Sequence, residues 1–108
     1  MTPEHNIQNQ IRSALSPYAV IFRANVGSAY TQDGRYFSTG LPKGFSDLFG
    51  FRRSDGKMIF IEVKTPKGRI RPEQEEFIKN MNACGAIAGV CRSPDDALRL
   101  IGTGKNNG

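Results

Sequence analysis

Lys57-Met58-Ile59-Phe60-Ile61-Glu62-Val63-Lys64 alternates with the period of a β-strand. Ile59, Ile61 and Val63 fall on one face; Met58, Phe60, Glu62 and Lys64 fall on the other. The β-branched face reads as core. The opposite face ends on a carboxylate and an ammonium at the strand's C-terminal end. Asp55-Gly56 precedes the strand and tolerates the positive φ of a tight hairpin turn. Pro66 stops the ladder, because it has no N–H to donate. Glu-x-Lys on a strand is most often a solvated pair. What sets this pair apart is Asp47, upstream and just before another apolar strand.

Leu48 to Arg52 is that neighbouring strand, joined to the first through Asp55-Gly56. In an antiparallel hairpin the start of one strand lies beside the end of the next. Counting back from a two-residue turn brings Asp47 near Glu62 and Lys64, while a one-residue slip would send it to the other face. Asp47 following Ser46 also suits a simple turn cap.

Working outward, Thr2-Pro3-Glu4 starts a helix with a capping hydroxyl, a proline at the first position and an acid for the dipole. Ile7, Ile11 and Leu15 recur at helical spacing, and Ser16-Pro17 ends the run. Glu4 sits at the tip of that buried face, where complementing the helix dipole is an alternative role. Tyr18 to Val26 is rich in β-formers and reads as a strand ended by Gly27. Residues 27–44 form a long loop or irregular hairpin around Asp33-Gly34, containing Tyr30, Tyr36 and Phe37. Arg35 and Lys43 in it suit phosphate contact or an ordinary exposed loop.

Beyond the central strand, Lys67-Gly68-Arg69-Ile70-Arg71 is a basic loop. Pro72 opens a helix with Gln74, Phe77, Ile78 and Met81 on one face and Gly85 as its stop. Gln74 is the one polar member of that inward stripe, or a partly exposed helix-start residue. Ala86 to Cys91 reads as a buried strand, and Ser93-Pro94-Asp95-Asp96 as a capped helix start with Ala97, Leu98 and Ile101 inward. Strand, helix, strand implies a crossover and a parallel neighbour. The expectation is an α/β (α+β) fold, a mixed central sheet flanked by helices, over residues 1–102, with a frayed tail at 103–108.

Composition narrows the function. The 108 residues suffice for one modest core. No apolar run spans a membrane, and the first residues have no signal-peptide character, so a cytoplasmic setting is expected. Cys84 and Cys91 then read as buried thiols, not a disulfide, and with His5 they make no recognised zinc set. Fifteen Lys and Arg against ten Asp and Glu give +5, which favours an anionic partner, nucleic acid foremost. No tryptophan and no RNP-like aromatic run indicate a base-stacking reader.

Two carboxylates held close repel each other unless a cation or proton intervenes. Hard oxygens suit Mg²⁺ or Mn²⁺, and Lys64 beside them could orient or deprotonate a water or neutralise a developing oxyanion. Phosphodiester hydrolysis fits that chemistry.

Asp47…Glu62-x-Lys64 resembles the restriction-endonuclease-like (PD-(D/E)xK) pattern. The wider string is similar to the virus-type replication-repair nuclease (VRR-NUC) family. It consists of Glu4, Phe22-Arg23-x-Asn25-Val26-Gly27, Gly44-x-Ser46-Asp47-Leu48, Ile61-Glu62-Val63-Lys64, Glu73-Gln74-x-x-Phe77-Ile78, Gly85-Ala86 and Ser93-Pro94-Asp95-Asp96-Ala97-Leu98. The resemblance implies a restriction-endonuclease-like fold and a Mg²⁺- or Mn²⁺-dependent endonuclease. It makes Asp47, Glu62 and the Val63 carbonyl metal ligands, Lys64 the catalytic lysine, Glu4 a member of the acidic cluster and Gln74 a support. Ser46 stands where a proline often precedes the aspartate. Small members of the family, mostly bacterial or viral, resemble Holliday-junction resolvases and act as homodimers, which implies branched DNA and a second copy as partners. Arg23, Arg35, Lys43, Lys67, Arg69 and Arg71 are the candidate DNA contacts. A non-catalytic DNA-binding module and a nuclease of plain duplex or single-stranded DNA are the competing functions.

Overall fold

The computed structural model describes residues 2–25 and 28–102, with the backbone alone at 28, 29 and 37. Helix α1 (Pro3–Leu15) starts where expected, with the Thr2 hydroxyl accepting the His5 N–H at 3.0 Å. Strand β1 (Ala19–Arg23) is shorter than the stretch of β-formers suggests; Val26 and Gly27 lie outside the described residues. A small ribbon, β2 (Ser28–Tyr30) with β3 (Tyr36–Ser38), follows around Gly34, whose φ is +88°. Then come β4 (Leu48–Arg52), β5 (Met58–Val63), α2 (Pro72–Ala83), β6 (Ile87–Cys91) and α3 (Pro94–Ile101). The tail at 103–108 lies outside the described residues.

The main sheet has the order β1-β4-β5-β6. Its first three strands are antiparallel neighbours, and β6 runs parallel to β5. That parallel pair is the expected crossover through α2. The connection between β4 and β5 departs from the expected two-residue turn. It spans residues 53–57, with Arg52 N–H donating to the Lys57 carbonyl at 2.9 Å and the Arg52 guanidinium gripping Asp55 at 2.7 Å. Gly56 takes the positive φ, +75°, while Asp55 does not, so both central residues of a primed turn are not in place. Leu48 therefore pairs with Ile61, not with Val63. The register moves by two residues, and every side chain keeps its face.

Two layers of helix cover the sheet. Ile59, Ile61 and Val63 are 0% exposed and pack with Leu48 and with Ile11, Leu15, Ala97 and Ile101 of α1 and α3. The other face is aromatic. Phe60 stands edge-on to Phe77 of α2 at 5.4 Å and to Phe45 at 5.9 Å, and Phe49 continues the chain toward Phe22. At the centre of β4 an added Cβ on Gly50 would lie 1.8 Å from the Val20 carbonyl oxygen, so only glycine fits there.

Cys91 is buried as expected, and desolvation pushes its thiol up to about 12. Cys84 is not buried. It is the C-cap of α2, where the chain turns outward before Gly85, and its thiol is exposed and free. No helix among the described residues is long and apolar enough to cross a membrane.

Candidate active site

The hairpin register puts Asp47 one step beyond the Leu48–Ile61 pair, beside the end of β5. Its Oδ2 accepts the Val63 N–H at 2.9 Å, where the next ladder bond would fall. In an extended strand the N–H and C=O of one residue point to the same side. Hence the Val63 carbonyl also faces the Asp47 side, while the next amide, Lys64 N–H, turns to the Cys91 carbonyl at 3.1 Å. Ser46 before Asp47 is fully buried, and its hydroxyl donates to the Leu48 carbonyl at 2.9 Å. That bond shapes the turn without a proline.

Glu62 and Lys64 share the α2 face of β5, and both are buried, Glu62 at 2% exposure. Their charges approach to 3.7 Å between Lys64 Nζ and Glu62 Oε2. Gln74 reaches the same oxygen, its Nε2 donating at 2.7 Å, while its Oε1 accepts the Arg71 N–H at 2.9 Å. Both ends of that amide are thus engaged, and the odd polar residue of the α2 stripe is an interior one. Glu62 Oε1 is different: it is buried and finds no hydrogen-bond donor. The strongest charge acting on Glu62 is that of another carboxylate, Asp47, and the two can share a proton only when one of them is protonated. Burial, then the Asp47 charge and contact, push the Glu62 carboxyl up to about 8 against the opposing pull of Lys64. A buried, unpartnered carboxylate oxygen beside a second carboxylate is a donor set that fits a hard divalent cation.

Glu4 acts on this pair more weakly. It belongs to α1, the layer across the sheet, and its charge acts on Glu62 less than Asp47 or Lys64 does. Among the described residues no group of three or more His, Cys, Asp or Glu side chains converges tightly enough to hold a metal. Glu4 instead lines an open hollow of about 210 Å³ with Thr2, His5, Gln8, Arg23 and Ala24. Arg23 there donates to His5 Nε2. The hollow adjoins the site through Ala24, whose N–H donates to the Asp47 carbonyl at 2.8 Å.

Of the other basic candidates, Lys67, Arg69 and Arg71 lie on the connection between Lys64 and α2. At the start of α2 the Glu73 carboxyl is held below the usual range by its own backbone N–H first, and then by the charges of Lys43 and Arg71. An added Cβ on Gly44 would lie 2.6 Å from the Glu73 carbonyl, so a glycine lets residues 43–44 dock against that helix start. Arg35 lies on the β2–β3 ribbon and pairs with Asp33 at 3.3 Å.

One positioning residue carried no signal in the sequence. Arg92 Nη1 donates to the Thr65 carbonyl at 2.6 Å and the Gly68 carbonyl at 2.7 Å, clipping the turn that follows Lys64. Its own N–H is held by Asp96 at 2.9 Å. Nothing in the spacing of a single arginine after β6 announces such a contact; it exists because the parallel crossover sets the ends of β5 and β6 side by side.

A mixed sheet with Asp at the start of one central strand and Glu-x-Lys at the end of the next defines a restriction-endonuclease-like domain. A family model, the VRR-NUC domain, matches residues 6–95, and the chain belongs to that family. A solved structure named as a VRR_NUC domain is similar in fold, with a TM-score of 0.65 at 21% identity, covering 94% of this chain and 96% of that one. No curated protein matches. Membership implies a nuclease-type function and contact with DNA.

Proposed function

We propose that this domain is a divalent-metal-dependent endonuclease that hydrolyses phosphodiester bonds of branched DNA as a homodimer. One observation carries the reading: the unpartnered Oε1 of buried Glu62, set beside Asp47 and 3.7 Å from Lys64 across its other oxygen. A purely structural core has no use for that arrangement, since an unsatisfied buried carboxylate oxygen is destabilising.

Asp47, Glu62 and the Val63 carbonyl are the ligands, with Glu4 contributing negative charge from the rim. A Mg²⁺ or Mn²⁺ ion in such a site supplies a more acidic water and neutralises charge on a phosphate oxygen. Gln74 fixes one oxygen of Glu62, which leaves Oε1 aimed into the site. Lys64 orients the attacking water, takes its proton or meets the oxyanion as charge builds. Lys43, Lys67, Arg69 and Arg71 hold the DNA backbone on either side, with Arg23 and Arg35 as outlying contacts. Pairing supports the homodimer: a compact domain with one site must act with a second copy to cut two strands symmetrically. Residues 1–102 form the working unit, in a cytoplasmic setting.

The test is cleavage of a four-way junction, a duplex and a single strand with Mg²⁺ or Mn²⁺, comparing the parent with Asp47→Asn and Lys64→Ala. The junction is expected to be cut fastest, and both variants are expected to lose about 10²–10⁴-fold. Variants that cut as fast as the parent would remove these residues from the chemistry. DNA binding without cleavage by any metal would leave a DNA-binding module. A monomer that only nicks would remove the dimer.

A further inference from the structure

Between β1 and β4 the chain leaves the main sheet, forms the β2–β3 ribbon and returns. Both ends of this excursion meet at the candidate site, where the Ala24 N–H binds the Asp47 carbonyl at 2.8 Å. Among the described residues the ribbon has no extensive contact with any helix or with the main sheet. Its turn is closed locally, by Thr31 N–H to the Arg35 carbonyl at 2.7 Å and Gly34 N–H to the Thr31 carbonyl at 3.0 Å. Tyr30 and Tyr36 are register partners on this ribbon. Their rings meet edge to face at 5.6 Å, and they remain 73% and 62% exposed. No two large hydrophobic side chains are more open among the described residues.

An isolated two-stranded ribbon is marginal in water, and one aromatic pair stabilises it only modestly. Two large rings held outward on such a ribbon are a surface lacking its partner. A second copy of the chain is a poor fit: two tyrosines bury at most about 500 Å², against the roughly 800 Å² that a stable dimer needs from each partner. Around them the described side chains, Thr31, Gln32, Asp33, Arg35 and Ser38, are polar. The Asp33–Arg35 pair cancels its own charge, so the ribbon does not repel an anion, and the chain as a whole carries +5. A ring face with a polar surround matches a nucleobase, which stacks regardless of its identity.

We infer that the Tyr30–Tyr36 pair is a stacking platform for unpaired bases of the DNA that lies across the site. This rests on the reading of the domain as a DNA nuclease and adds a source of substrate choice. Bases inside an intact duplex are already stacked on each other and unavailable. Bases at a fork, gap or branch point are free to stack on the ribbon. The platform therefore favours discontinuous DNA over flush duplex without reading sequence. The sequence hides this feature because the two tyrosines are separated by a turn and come together only as cross-strand partners.

The experiment measures binding in Ca²⁺ by fluorescence anisotropy to a flush duplex and to the same duplex carrying unpaired bases labelled with 2-aminopurine. The parent is compared with Tyr30→Ala/Tyr36→Ala and Tyr30→Phe/Tyr36→Phe. The parent should prefer the unpaired DNA by about tenfold and quench the 2-aminopurine. The phenylalanine variant should keep both effects, since its rings still stack, and the alanine variant should lose both. Equal parent affinity for the two DNAs without quenching, or an alanine variant that keeps the preference, overturns the platform alone. An alanine variant that turns a dimer into a monomer in sedimentation assigns the rings to a second copy and also overturns it. A parent that binds neither DNA overturns the nuclease reading itself, and the platform with it.

Discussion

On one side of β5, Ile59, Ile61 and Val63 are sealed against α1 and α3 with no solvent exposure. On the other side of the same strand, Phe60 packs on Phe77, and Glu62 and Lys64 are buried with one carboxylate oxygen left unpartnered. The backbone is common to both faces, so the difference belongs to the side chains. The first face contributes stability through apolar burial. The second gives some of it back by desolvating charge. The tolerated expense of the second face is what marks it as the candidate site.

The sharpest way to separate the faces is to change one side chain on each. Lys64→Met should lower cleavage by at least about a hundredfold, with urea midpoint little changed, because the neighbouring Glu62 carboxyl keeps its proton once the ammonium is gone and no lone buried charge is left. Ile61→Ala should do the reverse, costing about 2–5 kcal/mol in urea unfolding while the fraction that remains folded still cuts. If both variants lose stability equally, the two faces are energetically alike and the contrast fails.

A smaller effect is expected from pH. The Glu62 carboxyl holds its proton up to about 8 in the folded chain, against 4.5 for an ordinary glutamate. Between those values the folded state binds more protons than the unfolded one, so metal-free stability should fall as pH rises through that window. Glu62→Gln should flatten the slope and add about 1–3 kcal/mol at the alkaline end, read by thermal melts in chelator. Millimolar Mg²⁺ should rescue the parent's alkaline stability and leave Glu62→Gln unmoved. The smallest change is Gln74→Leu. It deletes the donor to Glu62 Oε2 and should cost about 1 kcal/mol of stability. Its activity loss should be only partial, unlike that of Lys64→Met.

Much of this contrast was legible in the residues. Strand alternation fixes which of 57–64 face the core, and the even register shift left that assignment intact although the turn length was misjudged. Gln74 stood out because a polar side chain interrupts an apolar helical stripe, and it is buried on Glu62. Other features depend on contacts no local pattern encodes. Glu4 comes from the helical layer across the sheet, and its charge reaches Glu62 only through the way α1 docks, which its helical side shared with Ile7 and Ile11 does not encode. Cys84 looked like core from its apolar residue type, yet a helix cap faces outward. Arg92 reaches Thr65 and Gly68 only because a crossover juxtaposes two strand ends.

The single bond from the Ala24 amide to the Asp47 carbonyl has a wider meaning. It closes the sheet at the base of the excursion, so the ribbon at 30–38 can drift in length and make-up while Gly44, Phe45 and Ser46, packed against α2 and β5, keep Asp47 in register. An arm mounted in this way is interchangeable: grafting a different one would retune what the domain grips while the candidate site stays as it was.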